Sequence, residues 1–267
     1  STMLSIEDLA GVERTLQSQP VKLIFFESPT NPVTKIADIG ALTRLAKAKG
    51  ALTVLDNTFA GLHQHGEFDV DIFIHSLSKY ASGAGDVLGG AVIARQEIIR
   101  ALRTDFGALG GSLDPHAAFL IQRGLKTYFV RYQAQCATAM RIAEFLASHP
   151  AVARVHYPGL PTHPQHALAR SQMKEFGTIV TFDLAGGPEA GARFADALKY
   201  FALAASLGST ESLIVAPQMM RGRDLTPEQL RISAVTDSTV RLSIGLEDPD
   251  DLLEDVAQAL EAAGTGS

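Results

Sequence analysis

The segment of this sequence best equipped for chemistry is a lysine flanked by two hydroxyls, Ser76-Leu77-Ser78-Lys79. Ser82-Gly83-Ala84-Gly85-Asp86 and Gly89-Gly90 follow it. Hydroxyls and free backbone amides in a glycine-rich loop suit an anion such as phosphate. The lysine can pair with that anion or condense with a carbonyl cofactor as a Schiff base. Asp56 closes an apolar run, Ala51 to Leu55, and a carboxylate there can hold a ring nitrogen protonated. Those are the three parts that a pyridoxal phosphate site requires. Spacing alone leaves simpler readings open, because a lysine in such a loop is often solvated and a strand-end aspartate often only caps a turn.

The elements that must position these groups alternate in the first half. Apolar runs at Val21 to Phe26, Ala51 to Leu55, Asp71 to His75 and Gly89 to Ala94 predict strands. Ile36 to Lys49 predicts a helix, with Gly50 as its stop, and Arg95 to Arg103 another. Continuous apolar strands with a helical crossover imply a mostly parallel sheet covered by helices on both faces, where ligands bind beyond the carboxyl ends of strands. Asn31, Asp56 and the Ser76 to Lys79 segment fall at such ends. The second half predicts helices over Pro115 to Lys126, Gln133 to Ser148 and Glu189 to Tyr200. Strands follow from Thr178 to Phe182 and from Val240 to Ile244, and Asp248-Pro249 opens a last helix. The fold class expected is α/β with a smaller α+β C-terminal domain, divided as 1–135 and 136–267.

The 267 residues, 46% apolar and 19% charged, can bury a substantial core and exclude a disordered or coiled-coil chain. A net charge of −6 argues against a nucleic-acid partner. The single cysteine, Cys136, excludes a disulfide scaffold and a cysteine-built metal site. It reads instead as a small buried hydrophobe. No apolar run approaches membrane-spanning length, and a cytoplasmic location is expected. His63, His65, His156, His163 and His166 match no closed zinc pattern, so no metal is expected.

Seven ordered motifs sharpen this reading. They are Glu27-Ser28-Pro29-Thr30-Asn31-Pro32, Leu55 to Ala60, His75 to Tyr80, Gly124-Leu125-Lys126-Thr127, Tyr157-Pro158-Gly159-Leu160, Ser206 to Leu213 and Val240 to Asp248. In this order they resemble the Cys/Met-metabolism family of pyridoxal phosphate enzymes, which has the fold-type I (aspartate aminotransferase-like) architecture. The resemblance spans nearly the whole chain and implies a transsulfuration enzyme making or breaking carbon–sulfur bonds. Cystathionine γ-synthases and γ-lyases lead, with methionine γ-lyases, cystathionine β-lyases and O-acylhomoserine sulfhydrylases as alternatives. It implies that Lys79 carries the cofactor and shuttles protons, that Asp56 sits on the pyridine nitrogen, and that Ser76 and Ser78 bind the phosphate. Asn31, Ser206 and Arg241 would meet the carboxylate of a small amino-acid substrate, Arg241 with its planar fork. A homo-oligomer, a dimer or a tetramer built of dimers, is also implied.

Departures from the family pattern bear on substrate choice. Gly61 to Phe68 replaces a loop that usually carries prolines, and Ala84-Gly85 stands where histidine and serine are frequent. Gln218 to Arg223 follows Ala216-Pro217 where small hydroxyl residues are common, and Ala205 is small at a position that varies. Family chains also extend upstream of residue 1, supplying a tyrosine stacked on the ring, a glycine-rich phosphate loop and an arm to the neighbouring subunit. The expectation is therefore a C-terminal part of a longer enzyme. A catalytically silent module that keeps the fold is the competing reading.

Overall fold

The computed structural model describes residues 1–216, 219 and 226–264. Its first sheet runs β1 (Leu23–Glu27), β2 (Leu52–Asp56), β3 (Ile72–Ser76) and β4 (Gly90–Ala94), in that order across the sheet. The first three strands are parallel, and β4 is antiparallel to β3. The expected parallel core is present, with an antiparallel edge where the sequence showed only a fourth apolar run. The chain between β3 and β4 is a loop that doubles back, with Leu77 N–H donating to the Gly89 carbonyl at 2.9 Å.

Helices α1 (Leu9–Ser18) and α2 (Ile39–Ala48) lie against one face of this sheet. Asp8 and Asp38 cap them by accepting from Gly11 and Ala41 backbone N–H, each at 2.8 Å. Their apolar stripes pack Leu9, Val12, Ile39 and Leu42 against Ile24, Phe26, Leu55 and Phe73. In-register pairing places Leu23, Phe25, Leu52 and Val92 on the opposite face, together with Glu27, Asp56 and Ser76 at the strand ends. Those four apolar side chains are exposed, Phe25 at 55%.

The chain continues through α3 (Gln96–Leu109), α4 (Pro115–Leu125) and the long α5 (Tyr128–Ser148). The last begins ahead of the predicted Gln133, because Tyr128 and Tyr132 pack into a cluster with Phe59, Tyr80 and Leu207 that the local pattern does not reveal. Cys136 is buried in that cluster, and burial pushes its thiol up to about 12. One turn further on, Ala139, Ile142, Ala143 and Leu146 belong to the largest core. The α5 helix therefore joins both hydrophobic cores across the expected boundary at 135/136.

The second sheet has the order β5-β6-β9-β8-β7, formed by β5 (Val152–His156), β6 (Ile179–Leu184), β7 (Ala202–Leu203), β8 (Leu213–Val215) and β9 (Thr239–Ser243). It is antiparallel except for the β7/β8 pair. Every residue of β6 and β9 is buried. Helices α7 (Gly187–Ala197) and α9 (Pro249–Gly264) cover it, with Phe182 meeting Phe194 edge to face at 5.4 Å. Two short helices complete the described elements, α6 (His166–Gln172) and α8 (Pro227–Ser233). Of the Gln218 to Arg223 departure, all but Met219 lies outside the described residues.

Candidate active site

Glu27, Asp56 and Ser76 end β1, β2 and β3 on one face, so three polar side chains reach one rim. With Pro29, Asn31, Thr58, Phe59, Lys79 and Leu207 they line a cleft of about 180 Å³. Asp56 Oδ1 accepts from Thr58 N–H at 3.0 Å, and its Oδ2 takes no hydrogen bond among the described residues. Thr58 Oγ1 accepts from Ser76 N–H at 2.9 Å, fixing the two strand ends side by side. The Ser76 hydroxyl has no partner among the described residues. Ser78 differs: its hydroxyl accepts from Gly89 N–H at 2.8 Å and faces the Gly89 carbonyl at 3.2 Å. It ties the loop together and is not part of the cleft wall.

Lys79 Nζ donates to Ser206 Oγ at 2.7 Å. Burial and the nearby Arg241 cation lower its affinity for a proton, which enlarges the fraction present as a free amine at neutral pH. Ser206 is held in a demanding geometry, with φ at 131°, a region that L residues rarely enter. Two residues on, Gly208 has φ at 73°, and a Cβ there would lie 2.9 Å from the Tyr80 ring. The Ser206 loop can press against the lysine segment only because that position has no side chain.

Arg241 is the middle residue of β9, between Thr181 of β6 and Val215 of β8, and only 7% exposed. Its guanidinium donates to Asn31 Oδ1 at 2.9 Å and to the Ser206 carbonyl at 2.6 Å, while Nε has no partner. No carboxylate pairs with it among the described residues. Two neutral acceptors replace only part of the hydration that a buried cation loses, and an anion would replace more. Arg241 thus holds Asn31 and Ser206 together, with its Nε–H left without a partner.

Six of the seven predicted site residues meet here, and Ser78 supports them from behind. Sequence reasoning did not single out Glu27 or Thr58, although both lie in quoted motifs at strand ends. Burial, reinforced by the Asp56 carboxylate, raises the Glu27 acid above its ordinary range against the pull of the Asn31 N–H that it accepts at 2.9 Å. The histidines serve structure. His63 bridges Tyr128 and Glu175, at 2.8 and 2.9 Å, and His156 pairs with Asp183 at 2.9 Å.

An amine, carboxylates and hydroxyls gathered at the carboxyl ends of a parallel sheet mark an α/β protein with its cleft where such folds place ligands. The sequence model of one such family, described as Cys/Met metabolism PLP-dependent enzyme, matches residues 1–261, and the chain belongs to it. It is 42% identical over 264 residues to L-methionine γ-lyase of Pseudomonas putida, covering 97% of this chain and 66% of the relative. It is 41% identical over 263 residues to chloroplastic cystathionine γ-synthase 1 of Arabidopsis thaliana, covering 98% of this chain and 47% of the relative. The crystal structure of cystathionine γ-synthase from Xanthomonas oryzae pv. oryzae in complex with cystathionine superposes with a TM-score of 0.91 at 41% identity. That match covers 95% of this chain and 66% of the other. The chain spans between about half and two thirds of the length of these proteins.

Proposed function

We propose that the protein to which this chain belongs uses pyridoxal phosphate to make or break carbon–sulfur bonds of sulfur amino acids or O-acylhomoserines. The observation that carries this reading is the buried, unpaired Arg241 beside Lys79, joined through one residue, Ser206. The side chains present fit the cofactor. Asp56, with an unused carboxylate oxygen, suits the ring nitrogen, Ser76 offers an unpartnered hydroxyl to the phosphate, and Lys79 offers its amine.

When bound, pyridoxal phosphate supplies an electron sink for a carbanion at the substrate α-carbon. The chain's own residues do the rest. Arg241 and Asn31 orient the α-carboxylate, and the unused Arg241 Nε adds a donor for it. Lys79 would hold the cofactor, and its Nζ as a free amine would take or return the α-proton, with Ser206 Oγ, 2.7 Å away, fixing where Nζ waits.

The division into 1–135 and 136–267 is supported by the two separate sheets, with α5 as the joint. The bare face carrying Leu23, Phe25 and Val92 fits burial against further chain or against a second subunit, and the second case is the homo-oligomer that we propose. Among the described residues no helix is long and apolar enough to cross a membrane, which is compatible with the proposed cytoplasmic location.

The test is spectroscopic. Full-length protein with added pyridoxal phosphate gives a visible absorption band that shifts on adding a sulfur amino acid, and Lys79→Ala lacks it. No band in the wild-type protein would leave the silent module as the better reading.

A further inference from the structure

Thr181 is fully buried in β6, where its neighbours Val180 and Phe182 belong to the largest core. In register it stands directly opposite Arg241 of β9, so the two side chains project from the same face of the sheet. There they meet the strap from Ser28 to Asp38 that joins β1 to α2 and carries Asn31. Thr181 Oγ1 donates to the Pro32 carbonyl at 2.6 Å, one residue beyond Asn31. On the other side, the Glu27 carboxylate accepts from Asn31 N–H at 2.9 Å. The strap is thus tied on both sides of the Asn31 side chain, by Glu27 from the open sheet and by Thr181 from the buried one.

Arg241 fixes which way the Asn31 amide turns. A guanidinium can only donate, so Asn31 Oδ1 faces it at 2.9 Å, and the amide hydrogens are left for a ligand in the cleft that Asn31 lines. The rest of the strap is fastened elsewhere. Thr34 Oγ1 donates to the His156 carbonyl at 2.8 Å, and the Gln165 side chain bonds both backbone groups of Ile36. Gln172 accepts from Ile39 N–H at 3.2 Å and donates to the Ala37 carbonyl at 2.8 Å. These bonds hold the strap with or without a hydroxyl at Thr181, so that hydroxyl acts on the Asn31-Pro32 segment.

We propose that Thr181 is a positioning residue for carboxylate recognition: its hydroxyl fixes Pro32 and so holds the Asn31 amide beside Arg241. The proposal rests on the pyridoxal phosphate reading and adds to the Arg241 and Asn31 pair a residue that lies outside the cleft wall.

The test uses full-length protein loaded with pyridoxal phosphate and follows the shift of its visible band. The ligands are L-norleucine, which has no leaving group, and L-norleucinamide, which has no carboxylate. The wild-type protein is expected to bind the acid at least about tenfold more tightly than the amide. Thr181→Val keeps the branched shape and lowers that preference by about tenfold, with the band itself unchanged. Thr181→Ser restores the hydroxyl and returns the preference to within about threefold of wild type. Gln172→Met loosens the strap at Ala37 and Ile39 and lowers the melting temperature, yet leaves the preference where it was. Thr181→Ala takes the place of the valine variant should that one fail to form the band.

A preference unmoved in the variant that forms the band, or an equal loss for acid and amide, overturns the proposal and leaves the cofactor reading intact. So does a wild-type band that shifts alike with both ligands or with neither, a serine variant that does not recover, or loss of the band in both the valine and the alanine variants. A preference lowered as much by Gln172→Met would assign the effect to the strap as a whole and overturns it too. No band in the wild-type protein removes the cofactor reading and this proposal together.

Discussion

In the first sheet Glu27, Asp56 and Ser76 stand at strand ends beside a face where Leu23, Phe25 and Val92 are exposed, whereas in the second sheet Arg241 sits in the middle of a strand buried along its whole length. The two regions solve different problems. Groups that must handle a cofactor need an open rim, and strand ends provide one without burying backbone polar groups. A group that must orient a carboxylate gains from rigidity, and the flanking Val240 and Leu242, both at 0% exposure, anchor Arg241 in the core. Lys79, Ser206 and Arg241 make contact where the open sheet and the buried sheet meet.

The sharpest way to break this contrast is on the open side. Lys79→Ala in the full-length protein removes both the covalent anchor and the proton carrier, and a loss of activity of at least about 10³-fold is expected. Residual turnover within tenfold of wild type would show that the rim is not where the reaction occurs.

On the buried side, Arg241→Met separates function from stability. Two charge-assisted hydrogen bonds to the carboxylate vanish, so kcat/KM falls by about 10²–10⁴-fold. The melting temperature changes little, because relief of a buried cation without a counter-ion offsets the loss of its hydrogen bonds to Asn31 and the Ser206 carbonyl. A large drop in melting temperature would mean that Arg241 holds the sheet together rather than waiting for substrate.

Packing gives the next effect. Phe182→Ala removes a fully buried ring that meets Phe194 edge to face and costs about 3–5 kcal/mol. Phe25→Ala, on the exposed face, stays within about 0.5 kcal/mol in this chain. Denaturant unfolding of the two variants side by side tests the asymmetry.

The smallest effect is on pH. Burial pushes His65 and His163 down to about 4 from an ordinary 6.5. The unfolded chain therefore takes up protons that the folded chain refuses, and stability is complete above about pH 6.5 and falls as pH drops toward 4, by roughly 2–3 kcal/mol for each group. His65→Gln should flatten part of that slope, and an unchanged slope would assign the loss to other groups.

Much of the site is legible in the sequence, because strand ends in a parallel sheet are where an apolar run stops at a polar residue, as at Asp56 and Ser76. Long-range partners were legible through motif order, since no spacing rule brings Arg241 to Asn31 across 210 residues. The direction of β4 was not legible, as an apolar run carries no sign for parallel or antiparallel pairing. Nor was the start of α5, where Tyr128 and Tyr132 answer to Phe59 and Tyr80 rather than to a helical period. Ser78 has the residue type for a phosphate ligand, and only the three-dimensional loop reveals that its hydroxyl also bonds Gly89.

The proposed function requires the reactive amine at the meeting of the two sheets to be Lys79. Full-length protein treated with pyridoxal phosphate, reduced with borohydride and digested should carry the pyridoxyl mass on the peptide containing Lys79 and on no other. A label on Lys35, Lys22 or another lysine, or no label at all, would contradict it.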